Sequence, residues 1–167
     1  MDCVVDIHSA NNSEIQCLIQ MWIKRAKKLI LENKKMWDLE QFSVEKLNKK
    51  YINPKYYIGY CGKKPFGGFI LIENDERYWP GNKDKALYFH KFVVDESFSG
   101  KGLSKEILEW VKEYGKQSGR KYIRLDFEED REYLKNMYYG NGFIKTGVVI
   151  DGRGTKITIA EYEIKNK

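Results

Sequence analysis

Phe92-Val93-Val94-Asp95-Glu96-Ser97-Phe98-Ser99-Gly100-Lys101-Gly102-Leu103-Ser104-Lys105 is the stretch that decides the fold. An apolar, β-branched run enters a glycine-bearing turn. The turn opens directly into a helix whose apolar stripe is Leu103, Ile107, Leu108, Val111 and Tyr114. The start of a helix exposes backbone N–H groups that have no intrahelical acceptor. The helix dipole adds about half a positive charge at the same end. Glycine permits positive φ and close approach of the backbone. Together these features make a phosphate cradle. The segment is neither a P-loop nor a dinucleotide fingerprint, because the terminal Gly-Lys-Ser/Thr and the third glycine are missing. Taken alone, the two glycines also describe an ordinary tight turn.

Working outward, Ala86 to Val94 is a strand rich in aromatic and β-branched residues. Before it, Tyr56 to Cys61 and Phe66 to Glu73 read as strands joined at Gly62-Lys63-Lys64-Pro65, and the polar stretch Asp75 to Asp84, with Trp79-Pro80-Gly81, reads as a loop. Ile15, Leu18, Ile19, Trp22, Ile23, Ala26, Leu29 and Ile30 recur at spacings of three and four, which predicts a long amphipathic helix ending near Asn33. Ser13 and Gln16 have the spacing of a capping box. Val4 to His8 is a short strand, and Ser43 to Lys50 a short helix.

Downstream, Ser118-Gly119 stops the helix that began at Leu103. Tyr122 to Phe127 is a strand, and Asp130 to Tyr139 a short helix stopped by Gly140-Asn141-Gly142. Phe143 to Ile150 and Lys156 to Ile164 form a closing hairpin across Asp151-Gly152-Arg153-Gly154. The order β, α, α, β, β, β, α, β, α, β, β predicts a mixed sheet flanked by helices. A ligand crevice is expected at a strand change.

The chain has 167 residues, with 30 lysines and arginines against 24 aspartates and glutamates, a formal charge of +6. Hydrophobic residues are 42% and charged residues 32% of the chain, a globular balance. No apolar run approaches the roughly 18 residues of a membrane span. Met1-Asp2-Cys3-Val4-Val5 lacks the basic start and apolar core of a signal peptide. Export and membrane insertion are therefore not expected. The basic residues are scattered among acidic ones, so most of the charge is solvated surface, and a few cations are left to serve an anion. Cys3, Cys17 and Cys61 are odd in number and widely spaced, and only His8 and His90 could join them in a cluster. Zinc and disulfides are not expected, and the reading is free thiols in a reducing cytoplasm.

The chain resembles the GNAT superfamily of acyl-CoA-dependent N-acetyltransferases. The superfamily's Arg/Gln-x-x-Gly-x-Gly/Ala signature aligns with Ser99-Gly100-Lys101-Gly102-Leu103-Ser104, and its tyrosine before Gly-Phe aligns with Tyr138-Tyr139-Gly140-Asn141-Gly142-Phe143. The resemblance is sharp over Ala86 to Val148 and looser over Tyr56 to Glu73. Ser99 stands where the superfamily has arginine or glutamine, and Ser104 where it has a final small residue. Leu87 to Val94, Tyr122 to Asp126, Lys35-Met36-Trp37 and Trp79-Pro80 resemble a bacterial branch of the superfamily.

The resemblance implies an α/β (α+β) fold in one domain, residues 1–167, with a mixed, mostly antiparallel central sheet flanked by helices. It implies acetyl-CoA as cosubstrate, no metal, and direct attack by a small-molecule or peptide amine in a ternary complex. The strand Phe92-Val93-Val94 would pair with the pantetheine amides. The turn Ser99, Gly100, Lys101, Gly102, Leu103, Ser104 and Lys105 would hold the pyrophosphate, with Arg131 as a further cation. A backbone N–H near Val94 would meet the oxyanion. Tyr138 would protonate the leaving thiolate, with Tyr139 as the fallback, because a phenol and a thiol have ordinary pKa values of about 10 and 8.5. His90 is the candidate base, with an ordinary pKa near 6.5; Asp126 and Glu128 are the runner-up carboxylates. Trp22, Arg25, Trp37 and Trp79, with Phe42 and Tyr78, are candidates for the acceptor pocket.

A nonenzymatic acyl-CoA-binding regulatory module with the same fold is the alternative, since Ser99 lacks the long polar side chain. Nucleic acid is not an expected partner, because no clustered basic-aromatic motif accompanies the 12 tyrosines. A membrane is not an expected partner either. The closing hairpin offers a sheet edge for a homodimer.

Overall fold

The computed structural model describes residues 3–34 and 37–165. Lys35 and Met36 of the branch-like segment lie outside the described residues, as do Met1 and Asp2. Among the described residues, seven strands and four α-helices follow the predicted order: β1 (Val5–Ser9), α1 (Asn12–Leu31), α2 (Val44–Lys50), β2 (Lys55–Cys61), β3 (Lys64–Ile72), β4 (Ala86–Val94), α3 (Leu103–Gln117), β5 (Tyr122–Glu128), α4 (Glu132–Gly140), β6 (Ile144–Ile150) and β7 (Lys156–Glu163). Short 3₁₀ turns at Leu39–Gln41 and Glu96–Phe98 complete it. The sheet order is β1-β2-β3-β4-β5-β7-β6. β1/β2, β2/β3, β5/β7 and β6/β7 pair antiparallel, whereas β4 and β5 pair parallel over Ala86–Tyr88 and Tyr122–Arg124. This is the mixed, mostly antiparallel sheet with flanking helices that the sequence implied.

The chain divides into two compact units, Met1–Ile72 with Lys91–Ile107, and Glu73–His90 with Leu108–Lys167. In the first, α1 buries Leu18, Ile19, Trp22 and Ala26, the stripe read from spacing. Its cap differs from the expected Ser13 and Gln16. Asn11 accepts from the Glu14 N–H at 2.9 Å, and Glu14 accepts from the Asn11 N–H at 3.0 Å. The box sits two residues earlier because Asn11, not Ser13, is the residue with extended backbone before the helix.

The expectation of three free thiols is corrected: Cys3 and Cys61 form a disulfide, and Cys17 is free. The cause is register. β1 runs antiparallel to the end of β2, with Val5 opposite Cys61 and the Gly62 N–H donating to the Val4 carbonyl at 2.9 Å. That brings Cys3 to a Cα–Cα distance of 5.3 Å from Cys61, within disulfide reach, across 58 residues of sequence.

In the second unit, Arg124 of β5 is 3% exposed and organises the loop before β4. It donates to Asp84, Glu161 and the Tyr88 hydroxyl at 2.9, 3.0 and 3.1 Å. Its guanidinium lies 4.5 Å from the Trp79 ring and 4.6 Å from the Tyr122 ring. A buried charge needs such a complete set of partners.

Candidate active site

In the first unit the turn between β4 and α3 has the geometry of an anion cradle. Gly100 and Gly102 both have φ of +74°, a region costly for residues with a Cβ, and no atom lies within 4 Å of where a Cβ would stand on either. The first helical N–H bonded to this turn is that of Glu106, which donates to the Gly102 carbonyl at 3.3 Å. The N–H groups of Leu103, Ser104 and Lys105 precede it, so helix geometry gives them no intrahelical acceptor. Leu103 is buried and anchors the turn, while Ser99, Lys101 and Lys105 are exposed. The Lys101 ammonium lies 5.4 Å from the centre of the Phe98 ring. Open backbone donors and two exposed cations fit the pyrophosphate of coenzyme A.

The end of β4 is fixed from both sides. Arg25 of α1 donates to the Val94 carbonyl at 2.6 Å, and the Asp95 N–H donates to the Phe66 carbonyl at 2.6 Å. Lys24 and Lys28 pair with Asp95 and Glu96 at 3.3 and 2.9 Å. A shallow surface depression lies here, lined by Met21, Lys24, Arg25, Lys28, Val93, Val94, Asp95 and Glu96. Gly67 of β3 leaves no room for a side chain, because a Cβ there would collide with the Val93 carbonyl oxygen. Within β4, Lys91 has φ of +54°. Its carbonyl accepts from the Trp22 indole at 2.6 Å, and its ammonium lies 5.3 Å from the Trp37 ring.

Trp22 is therefore a core residue rather than an exposed acceptor contact: it is fully buried and stacks on Phe42. Trp37 is half-buried, edge-on to Phe42. Trp79 is buried in the second unit against Arg124 and Tyr88. Arg25 is occupied at the end of β4, and Arg131 donates to Glu128 at 3.3 Å.

The second unit holds the titratable candidates. His90 sits near the middle of β4, with Nε2 2.9 Å from Asp75 Oδ2 and Nδ1 3.7 Å from Asp126 Oδ2. Among the described residues these three form the one group of histidine, cysteine or carboxylate ligands close enough to share a metal ion. The imidazole, however, meets the two carboxylates with different nitrogens, which suits passage of a proton. Tyr138 of α4 is buried between Phe127 and Phe143, with ring centres 5.4 and 5.8 Å away. Burial first, and the Asp126 and Tyr133 charges after it, push its phenol well above the usual tyrosine range. Tyr139 meets the Phe127 ring edge at 6.1 Å.

Sequence reading singled out His90 and Asp126 but not Asp75. Nothing in spacing or periodicity marks one aspartate of a polar loop as the partner of a strand histidine 15 residues on.

The strand order and the open, glycine-bearing turn at the start of α3 define a mixed α/β protein with room for an anion at a helix N-terminus. The model of the Acetyltransferase (GNAT) family matches residues 20–143, and the chain belongs to that family. Its fold is that of a GNAT-family acetyltransferase from Listeria monocytogenes, at 21% identity and TM-score 0.73, with 95% of this chain and 94% of that one covered. It is likewise similar to the spermidine N-acetyltransferase of Vibrio cholerae in complex with CoA and spermine, at 14% identity, TM-score 0.70, and 96% and 95% coverage. The ribosomal-protein-S18-alanine N-acetyltransferase of Escherichia coli matches at 13% identity, TM-score 0.70, and 98% and 96% coverage. No curated protein sequence matches the chain.

Proposed function

We propose that the protein is an acetyl-CoA-dependent N-acetyltransferase that passes the acetyl group to a small-molecule or peptide amine by direct attack in a ternary complex. The observation that carries this is the Gly100–Gly102 turn, with paired positive φ angles and unobstructed space, at the head of α3. In this reading Phe92, Val93 and Val94 hold the pantetheine, and Ser99 to Lys105 hold the pyrophosphate. His90 takes the proton from the acceptor ammonium, and Tyr138 gives one to the departing sulfur. Burial keeps the Tyr138 phenol protonated at any physiological pH, and the same shift makes it a weaker acid toward the thiolate than an ordinary tyrosine. The whole chain acts as one catalytic domain. No helix among the described residues is long and apolar enough to cross a membrane.

The fold is shared with enzymes named for spermidine and for a ribosomal protein's alanine. A polyamine and a peptide amino terminus are therefore the two acceptor kinds to test. The experiment is a thermal shift with acetyl-CoA, followed by thiol release with spermidine and with an alanine-terminated peptide. A rise in Tm with acetyl-CoA and amine-dependent thiol release support the reading. No rise in Tm overturns it. A rise without thiol release from either amine favours the nonenzymatic acyl-CoA-binding module, which the short, exposed Ser99 keeps in view.

A further inference from the structure

We propose that Arg25 of α1 is the positioning residue of the phosphate turn. It holds the Val94 carbonyl, so that the chain from β4 to α3 already has its binding shape when acetyl-CoA arrives. This rests on the acetyltransferase reading above, and it moves Arg25 from the acceptor pocket to the side of the acyl donor.

Val94 is the last residue of β4, and the peptide group that joins it to Asp95 is tied at both ends. Its N–H, on Asp95, donates to the Phe66 carbonyl of β3 at 2.6 Å. Its carbonyl, on Val94, accepts from the Arg25 guanidinium at 2.6 Å. A peptide unit is planar, so bonds at its two opposite ends fix its orientation. That orientation sets the direction in which the chain leaves the strand. The Arg25 bond is charge-assisted, short and partly buried, and charge-assisted hydrogen bonds are about twice as strong as neutral ones.

The next residues lean on the fixed plane. Asp95 Oδ2 accepts from the Ser97 hydroxyl at 2.5 Å and from the Ser97 N–H at 3.3 Å. The Asp95 and Glu96 carbonyls accept from the N–H groups of Phe98 and Ser99 at 2.9 and 3.1 Å. The Phe98 ring lies 6.2 Å from the ring of Phe66, the residue whose carbonyl holds Asp95. Buried Leu103 anchors the far end of the turn. Between Ser99 and Leu103 stand Gly100 and Gly102, both at φ of +74° with open space around them. Glycines let a turn take many shapes, so a cradle of one shape needs its entry held.

Three side chains of α1 reach this stretch, and they differ in strength. Lys24 meets Asp95 and Lys28 meets Glu96, but the two lysines are 65% and 44% exposed. Exposed ion pairs contribute little and are screened by salt. Arg25 is the partly buried member of the three, and it bonds the backbone itself. Its guanidinium would also repel an incoming ammonium, because like charges side by side oppose binding. When only a fraction of a site has the competent shape, affinity falls by that fraction. Loss of Arg25 therefore acts on acetyl-CoA and spares the amine.

The test uses the full chain. Titration calorimetry gives the Kd for acetyl-CoA, and thiol release with spermidine and with the alanine-terminated peptide gives kcat and the amine's KM. Arg25→Gln is expected to raise the Kd for acetyl-CoA about tenfold, with kcat and the amine's KM within about twofold of wild type. Arg25→Lys still carries a donor for Val94 and should recover part of the loss. Methylguanidinium added to Arg25→Ala should restore affinity, a response that lost packing would not give. Lys27→Gln removes the same charge from an exposed site on the same helix and should leave the Kd at the wild-type value. An unchanged Kd in folded Arg25→Gln overturns the proposal. An equal rise in Lys27→Gln also overturns it, by making the effect one of net charge. So does a rise confined to the amine's KM, which returns Arg25 to the acceptor pocket. No recovery with either lysine or methylguanidinium overturns the role of the Val94 bond. A second readout needs no cosubstrate. The ¹⁵N shifts of the Asp95, Ser97, Phe98 and Ser99 amides should move in Arg25→Gln and stay in Lys27→Gln; unmoved shifts overturn the clamp. If the wild type shows neither a rise in Tm with acetyl-CoA nor thiol release, the acetyltransferase reading fails. The amide shifts then still decide whether Arg25 shapes the turn.

Discussion

Tyr138 is wedged between Phe127 and Phe143, so Tyr138→Phe preserves the ring packing and removes one hydroxyl. If the phenol protonates the leaving sulfur, kcat should fall about 10²-fold or more, while the rise in Tm with acetyl-CoA is retained. Thiol-release kinetics beside a thermal melt separate the two effects. His8 offers a different test. Its ring nitrogens lie 2.9 Å from Asp6 Oδ2 and from Glu14 Oε2, and only the doubly protonated ring can donate to both. The Glu14 hydrogen bond is the largest cause that raises its pKa above the ordinary 6.5; burial opposes it, and Asp6 adds to the rise. A raised pKa gives stability that is complete below the unfolded value and lost as pH rises through the folded one. Tm of the wild type relative to His8→Gln should therefore decline as pH is raised from about 6 to about 8. Tyr138 and the glycines could be read from sequence because each belongs to a motif of fixed spacing. Asp75 and Arg124 could not. Their meaning lies in partners such as His90 and Glu161, which come together only when the loop and strands have folded.

At the scale of elements, the turn before α3 depends on backbone shape more than on side chains. Gly100 and Gly102 at φ of +74° are strained by any Cβ even though the space is open. Gly102→Ala should cost about 1–2 kcal/mol in the turn and weaken acetyl-CoA by about tenfold, readable as a smaller ligand-induced rise in Tm. The strand and helix order was legible throughout, because apolar periodicity marks each element's buried face. Cap positions were less so: Ser13 and Asn11 both suit the role, and Asn11 is the one with extended backbone and a reciprocal bond to Glu14. The left-handed Lys91 inside β4 left no trace in the sequence. A lysine there reads as surface, yet it is buried, its carbonyl held by Trp22 and its ammonium set over Trp37.

Across the whole molecule, the covalent link between Cys3 and Cys61 is what composition alone failed to disclose. Three cysteines without paired spacing gave no hint of it. The antiparallel register of β1 on β2 creates the pair. In the chain-entropy account, closing a loop across 58 residues restricts the unfolded chain by about 4 kcal/mol. A reductant should accordingly lower Tm, and Cys61→Ser should match the reduced protein and no longer respond to reductant. The same bond makes β1, α1, α2 and β2 a closed ring of chain. A single proteolytic nick anywhere between Cys3 and Cys61 would open that ring without releasing a fragment. The nicked protein would keep its full mass on a denaturing gel and fall into two bands only when a thiol is added.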